Sequence, residues 1–323
     1  MTDSTLLSAE ADRLSGGRAS ALRHDNDIVS LVLDVSGMSV PERSTMEANL
    51  KQSLAALSGA REIRIVMTAE KKSMTIIAVA SGKGGVGKST VSTNLAIALK
   101  KRGVKVGIVD ADIYGPSQPR LLGSEGVKPE AKDSQMIPVA NAFGVPMLSM
   151  GQLVKEGQAI AWRGPMAGNA LAQLIDADWP GAGIDTLIVD MPPGTGDVQL
   201  SMVQKHKPKG AVIVSTPQDL ALIDATRAMS LFAQADVPIV GIIENMAGYI
   251  CPHCGELSDP FGRGGAEATA ETLGVPFLGR IPLSLDIRVA SDAGNPPAAG
   301  TEPIGEPFDA LAARVAAWLE KKQ

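Results

Sequence analysis

Three groups of residues in this chain have the types and spacing to do chemistry. The first is Gly82-Lys83-Gly84-Gly85-Val86-Gly87-Lys88-Ser89, followed by Thr90, which satisfies the spacing G-x-x-x-x-G-K-[ST]. Glycines at 82, 84, 85 and 87 carry no Cβ, so consecutive backbone N–H groups can turn inward around a phosphate. The run before it, Thr75 to Ala80, is apolar and β-branched like a buried strand, and Lys88-Ser89-Thr90 opens a stretch with helical spacing. Strand, glycine loop and helix N-terminus together make a site for a nucleoside triphosphate. In such a site Lys88 reaches the β- and γ-phosphates and Ser89 ligates Mg²⁺.

The second group consists of carboxylates at strand ends. The run Val106–Val109 ends in Asp110-Ala111-Asp112. A carboxylate beside the phosphate loop can orient or deprotonate an attacking water, a role read here for Asp112, with Asp110 structural. The run Leu187–Val189 ends in Asp190, a Walker-B-like pattern in which the carboxylate holds Mg²⁺ directly or through water. A glycine-rich segment follows, and Gly194 within it is placed to donate its N–H to a γ-phosphate and sense hydrolysis.

The third group is Cys251 and Cys254, the only two thiols in 323 residues, with Pro252 and His253 between them. C-x-x-C can be a redox dithiol, half of a zinc site or half of an iron–sulfur site. A redox pair belongs at a helix N-terminus in a thioredoxin-like sheet, whereas this pair sits in a loop after the strand Ile239–Glu244. Two thiolates do not complete a four-sulfur site, but two chains about a two-fold axis do. Four thiolates suit a bridging [4Fe–4S] cluster or a zinc ion, and the residues leave both open. His253 is left out of the ligand set, because in a tight turn its ring points away from its neighbours' thiolates.

The elements that must position these groups follow from periodicity. From Met74 onward, strand runs at Ile76–Ala80, Val104–Val109, Val145–Met150, Thr186–Val189, Ala211–Ser215, Ile239–Glu244 and Phe277–Ile281 alternate with helical stretches. The main helices are Ser89–Lys101, Met166–Asp176, Asp219–Gln234 and Ala266–Leu273. Near-continuous apolar strands alternating with helices predict an α/β fold, a doubly wound, mostly parallel sheet covered on both faces. Ligands on such sheets bind beyond the carboxyl ends of the strands, where every loop above lies. The C-terminal stretch Phe308–Leu319 has one apolar helical face, read as docking on the core. Ahead of this domain (74–323), residues 1–25 read as a polar, frayed leader with a short helix. Residues 26–73 read as a small truncated α+β segment: strand Ile28–Val35, helix Pro41–Leu57 and strand Glu62–Met67. Thr68 to Ser73 is the linker.

Composition excludes several classes. Net charge is −5 and aromatics are 3%, so neither a basic field nor a base-stacking surface for nucleic acid is expected. No apolar run reaches membrane-spanning length, the first residues are acidic, and only two cysteines occur; these point to a cytoplasmic protein without membrane partners.

The loop Lys83–Thr90, with its extra lysine, resembles the deviant Walker A group of P-loop NTPases. That group includes the partition, septum-placement, nitrogenase-iron-protein and arsenite-pump ATPases. The resemblance implies a nucleotide-sandwich homodimer in which Lys83 reaches the partner's nucleotide. Asp110–Ser117, Met191–Asp197, Glu244-Asn245-Met246, Cys251–Gly255, Ile281-Pro282 and Arg288–Asp292 narrow the likeness to the Mrp/ApbC iron–sulfur carrier branch, over about residues 74–306. It implies ATP as nucleotide with Asn245 on the adenine, Asp112 activating water and Asp190 supporting Mg²⁺. It also implies a slow ATP hydrolase with a [4Fe–4S] cluster on Cys251 and Cys254, passed to apo iron–sulfur proteins. Residues before Met74 resemble the small domain often fused in front of such carriers, though truncated, without cysteine and without a clear Asp-Pro opening. Two other readings stay in view: a positioning-type ATPase with structural zinc on the thiols, and a disulfide redox switch with a regulatory nucleotide.

Overall fold

The computed structural model describes residues 4–25, 27–38, 40–68, 74–113, 115–132, 135–153 and 164–322. The chain forms two compact units, Met1–Ser73 and Met74–Gln323.

In the first unit, helix α1 (Ser4–Ser15), strands β1 (Ala19–Asp25) and β2 (Ile28–Asp34), helix α2 (Val40–Ser58) and strand β3 (Glu62–Thr68) follow one another. The sheet order is β1-β2-β3, with β2 antiparallel to β1 and parallel to β3. Strict alternation in β2 turns Val29, Leu31 and Leu33 onto one face, where they meet Leu7 and Ala11 of α1 and Leu50 and Leu54 of α2. The expected leader is therefore different over residues 4–25. Its second half is a strand paired to β2, because Ala19 and Leu22 complete the apolar side of that sheet. The linker expected at Thr68–Ser73 lies outside the described residues from position 69 on.

The second unit opens with β4 (Thr75–Ala80), α3 (Lys88–Lys101), β5 (Val106–Asp110) and the short α4 (Gln118–Leu121). A small hairpin, β6 (Ala131–Lys132) with β7 (Gln135–Met136), precedes β8 (Met147–Ser149), α5 (Gly164–Ile175), β9 (Thr186–Asp190) and α6 (Asp197–His206). Then come β10 (Gly210–Ser215), α7 (Asp219–Gln234), β11 (Ile239–Ile250), β12 (Leu257–Ser258), α8 (Gly265–Leu273), β13 (Phe277–Leu283), α9 (Leu285–Asp292) and α10 (Glu306–Glu320). The sheet runs β12-β11-β10-β4-β9-β5-β8 with β13 also on β11. All pairings are parallel except that of β12.

Both faces are covered, as the continuous apolar strands predict. Along β4, Ile76, Ala78 and Ala80 face a core shared with Leu171 and Leu174 of α5, Met202 and Val203 of α6, and Met229 and Phe232 of α7. Ile77 and Val79 face the opposite core, with Val91, Leu95 and Leu99 of α3 and Phe308, Leu311 and Val315 of α10. α10 is held on the core by Phe308, Leu311 and Val315, each fully buried large side chain contributing roughly 1.5–3 kcal/mol, with Ala312 and Leu319 buried beside them. Among the described residues no helix is long and apolar enough to cross a membrane.

β11 departs furthest from its expected length, and β8, at Met147–Ser149, is shorter than the expected Val145–Met150. The run Ile239–Glu244 continues to Ile250, and the cysteine pair is the turn of an antiparallel hairpin with β12 rather than a plain loop after a short strand. Polar residues past Glu244 hid the extension: Asn245, Gly248 and Tyr249 break the apolar run while the backbone stays extended.

Candidate nucleotide site and thiol turn

The C-terminal ends of β4, β5, β9, β10 and β11 converge on the glycine loop. Gly85 and Gly87 both have φ of 80°, which a side chain would strain, and Gly87 immediately precedes the first turn of α3. A Cβ on Gly82 would lie 2.0 Å from the Asp224 carbonyl carbon, so α7 sits directly against the start of the loop. Around Gly84 and Gly85 the space is open, with nothing nearer than 3.9 Å. Val86 is buried and pins the loop to the core.

Lys88 is 6% exposed, and its Nζ lies 2.6 Å from Oδ1 of Asp190, itself fully buried. Asp190 Oδ1 also accepts from Ser92 Oγ at 2.9 Å, and Oδ2 accepts from Gln118 Nε2 at 2.9 Å. The same Gln118 amide donates to the Ser89 carbonyl at 3.1 Å, while its Oε1 accepts from Thr93 Oγ1 at 2.6 Å. Gln118 thus ties the first turn of α3 to the end of β9. Asp110 stands opposite Asp190 in the β5·β9 register. Its carboxylate accepts from the backbone N–H groups of Asp112, Ser117 and Gln118 and from Ser149 Oγ. Burial first, and the Asp190 charge second, raise its pKa to about 7 against the pull of those N–H groups and Lys88. The structural part read for Asp110 agrees with these bonds. Asp112 is half-buried at the rim and accepts from Gly115 N at 3.2 Å.

Three residues expected on nucleotide or partner are placed on neighbouring groups of the chain. The Gly194 N–H, at φ 89°, is given to the Ser81 carbonyl at 3.1 Å. Lys83 Nζ reaches Gln218 Oε1 at 3.3 Å. Asn245 is buried over the loop and donates its amide to the Val86 carbonyl at 2.8 Å. The Thr90 carbonyl accepts from Asn94 Nδ2 at 2.8 Å. Thr216, at the end of β10 and at the level of the loop, has a buried hydroxyl with no partner among the described residues. Inward-turning glycines, a buried ammonium and an orphaned hydroxyl fit a bound phosphate ester. Ser89 and Asp190, the two residues read for a divalent cation, share Gln118 as a hydrogen-bond donor.

The thiols lie apart from this cluster, at the far end of β11. The Cys251 N–H donates to the Glu256 carbonyl at 3.0 Å and Gly255 N returns to the Cys251 carbonyl at 2.9 Å, closing a tight turn. The backbone N–H groups of Cys254 and His253, then the Cys254 thiol, hold the Cys251 thiol below its ordinary pKa. Cys251 is half-buried and Cys254 exposed, with Glu256 Oε2 at 3.9 Å from Cys254 Sγ. Among the described residues no group of three or more His, Cys, Asp or Glu could hold a metal ion. One chain offers two thiols at this turn.

Several working residues escaped the sequence reading. Gln118, Ser92 and Thr93 look like ordinary helix and turn polars. Their signal was a run of three polar residues, Ser92-Thr93-Asn94, inside a helix that is buried on every side. Glu244 is fully buried, pairs with Arg280 at 2.9 Å, and accepts from Gly264 N and Ala266 N at the start of α8.

A phosphate loop at the end of the central strand of a doubly wound parallel sheet defines a P-loop NTPase fold. Residues 72–316 match the NUBPL iron-transfer P-loop NTPase family, and the chain belongs to it. An iron-sulfur cluster carrier protein of Haemophilus influenzae is 51% identical over 222 residues, 68% of this chain and 60% of that protein's length. One of the same description from Deinococcus radiodurans is 40% identical over 295 residues, 88% of this chain and 83% of that one. A nucleotide-binding protein of Archaeoglobus fulgidus, solved in complex with ADP, superimposes with a TM-score of 0.63 at 38% identity. It covers 73% of this chain and 91% of that one.

Proposed function

We propose that this chain is an ATP-hydrolysing, homodimeric carrier that assembles a [4Fe–4S] cluster between two copies of the Cys251–Cys254 turn and delivers it to apo iron–sulfur proteins in the cytoplasm. The observation that carries this reading is the thiol pair itself. It is half of a four-sulfur site, presented at an exposed hairpin tip in a member of an iron-transfer family. The relatives from Haemophilus and Deinococcus are described as cluster carriers, and the Archaeoglobus relative binds ADP. The cluster is cargo, so a labile site on an exposed turn suits it better than a buried one.

In the nucleotide site, residues 82–90 wrap the phosphates. Lys88 leaves Asp190 to meet the β- and γ-phosphates, Ser89 with Asp190 holds Mg²⁺, and Asp112 orients the water. Gly194 exchanges the Ser81 carbonyl for the γ-phosphate, Asn245 meets the adenine edge, and Lys83 turns from Gln218 to the nucleotide of the second copy. Mg²⁺ supplies charge neutralisation at the transferred phosphoryl group. Residues 74–323 carry all of this chemistry, and the first compact unit, Met1–Ser73, is a separate accessory domain.

Purification without oxygen, followed by iron, sulfide and zinc analysis, tests the reading. About four irons and four sulfides per two chains are expected. A Cys251→Ala/Cys254→Ala variant holding its cluster unchanged would overturn it, and stoichiometric zinc without sulfide would favour a structural site in a positioning-type ATPase.

A further inference from the structure

The phosphate loop and the thiol turn are joined by one strand. In β11, Glu244 is clamped by Arg280 and by two N–H groups of the α8 N-terminus. The next residue, Asn245, holds the carbonyl of Val86 in the phosphate loop at 2.8 Å. After it comes Met246, with φ of 59°. Four described non-glycine residues have positive φ. Lys207 and Asp236 follow helix ends and Ala21 lies in the first unit, so in the main sheet Met246 alone interrupts a strand. Gly248, at φ 76°, repeats the break. The β11·β13 register shifts between Asn245 and Tyr249, across the same residues. Past the break, Tyr249 and Ile250 pair with Ser258 and Leu257, and Cys251 follows at once.

We infer that Met246–Gly248 is a hinge through which the state of the phosphate loop sets the position of the Cys251–Cys254 turn, with Met246 as its positioning residue. This deepens the proposed function and rests on nucleotide binding at residues 82–90. The geometry gives the reason. A movement of Val86 when the loop closes on phosphate is felt by Asn245, whose amide holds that carbonyl. Met246 feels it too, since its Cε comes within 3.7 Å of where a Gly87 Cβ would stand. Glu244 stops the strand from sliding, so the displacement is passed toward the thiols, about 20 Å along the strand at the usual rise per residue. A non-glycine residue held in the left-handed region is strained and has the extended conformation as its alternative, so the break is a joint with two backbone positions rather than a soft loop.

The test uses the full-length, reduced, metal-free chain and measures alkylation rates of Cys251 and Cys254 by N-ethylmaleimide, read by mass spectrometry. Rates are compared without nucleotide and at saturating Mg-ATP, with saturation verified by a fluorescent ATP analogue. A change of about fivefold or more is expected in the wild type, the lower range of measured site-to-site coupling. In Met246→Gly, which frees the backbone at this joint, the ratio is expected to fall to about one while folding and analogue affinity are kept. Gly248→Ala, which stiffens the second break, serves as an independent variant and should also change the ratio. Nucleotide binding with unchanged wild-type alkylation overturns the hinge while leaving the proposed function intact. A full wild-type ratio in both variants overturns it as well. Failure of the wild-type chain to bind Mg-ATP removes both readings together.

Discussion

Lys88 and Asp190 form a buried ion pair whose disruption can be reasoned through in numbers. Lys88→Met keeps the length of the stem and removes the charge. Asp190, with no exposure at all, then loses its counterion but keeps Ser92 Oγ and Gln118 Nε2 as donors. Breaking one side of a buried pair costs about 3–5 kcal/mol, and two surviving donors place this site at the low end, about 3 kcal/mol. Asp190→Asn removes the charge from the other side and leaves Lys88 facing an amide. Because each single variant strands a charge and the double variant strands none, the double should recover about 2 kcal/mol relative to the sum. Urea unfolding followed by tryptophan fluorescence measures this in the nucleotide-free protein. Trp162, Trp179 and Trp318 are the only tryptophans and all lie beyond residue 74, so the signal reports the main domain. A cost below about 1 kcal/mol for Lys88→Met, with additive energies in the cycle, would refute the reasoning.

Asp110 carries a pH signature. Its folded value of about 7 stands above the ordinary 3.8, so the folded chain holds this proton more tightly than the unfolded one. The resulting stability is complete below the ordinary value and is lost as pH rises through about 7. Unfolding curves from pH 4.5 to 8 should show the wild type losing stability relative to Asp110→Asn, and a constant difference would count against it. Gln118→Leu leaves Asp190 Oδ2 and the Thr93 hydroxyl without this partner and should cost about 2 kcal/mol in the same unfolding assay. Gly87→Ala places a methyl 2.2 Å from Asn245 Nδ2 at a φ of 80°. Titration with a fluorescent ATP analogue should show affinity falling about tenfold or more, well beyond the loss in Gly85→Ala, where the space is open.

Much of the fold was legible because its signals are local. Parallel strands buried on both faces read as apolar runs, and the helices between them keep a 3.6-residue period, so β4, β9, β10 and α7 fall within a residue of their expected bounds. Two features were hidden for physical reasons. β1 is seven residues with only Ala19, Ala21 and Leu22 apolar, and its register breaks at Ala21, so no alternation marks it. The second half of β11 alternates around a left-handed residue, which no pattern of side chains announces. At the site, motif spacing named the glycine loop, Lys88 and Asp190, which the fold does bring together, since these lie on sequence-local backbone at the ends of adjacent strands. The partners that hold them, Gln118, Gln218 and Ser149, come from turns and strand ends elsewhere in the chain, where pairing is decided by packing alone.

The sheet order has a consequence for how the molecule is made. β4 carries the phosphate loop, yet its two neighbours are β9 and β10, whose residues begin more than a hundred positions later. During synthesis the loop therefore leaves the ribosome with no strand on either side of it. Both neighbours of β4 are available only after Ser215 has been added. Pairings this distant along the chain make closure slow and expose β4 edges meanwhile. The most recognisable stretch of the sequence thus depends for its sheet neighbours on residues made long after it.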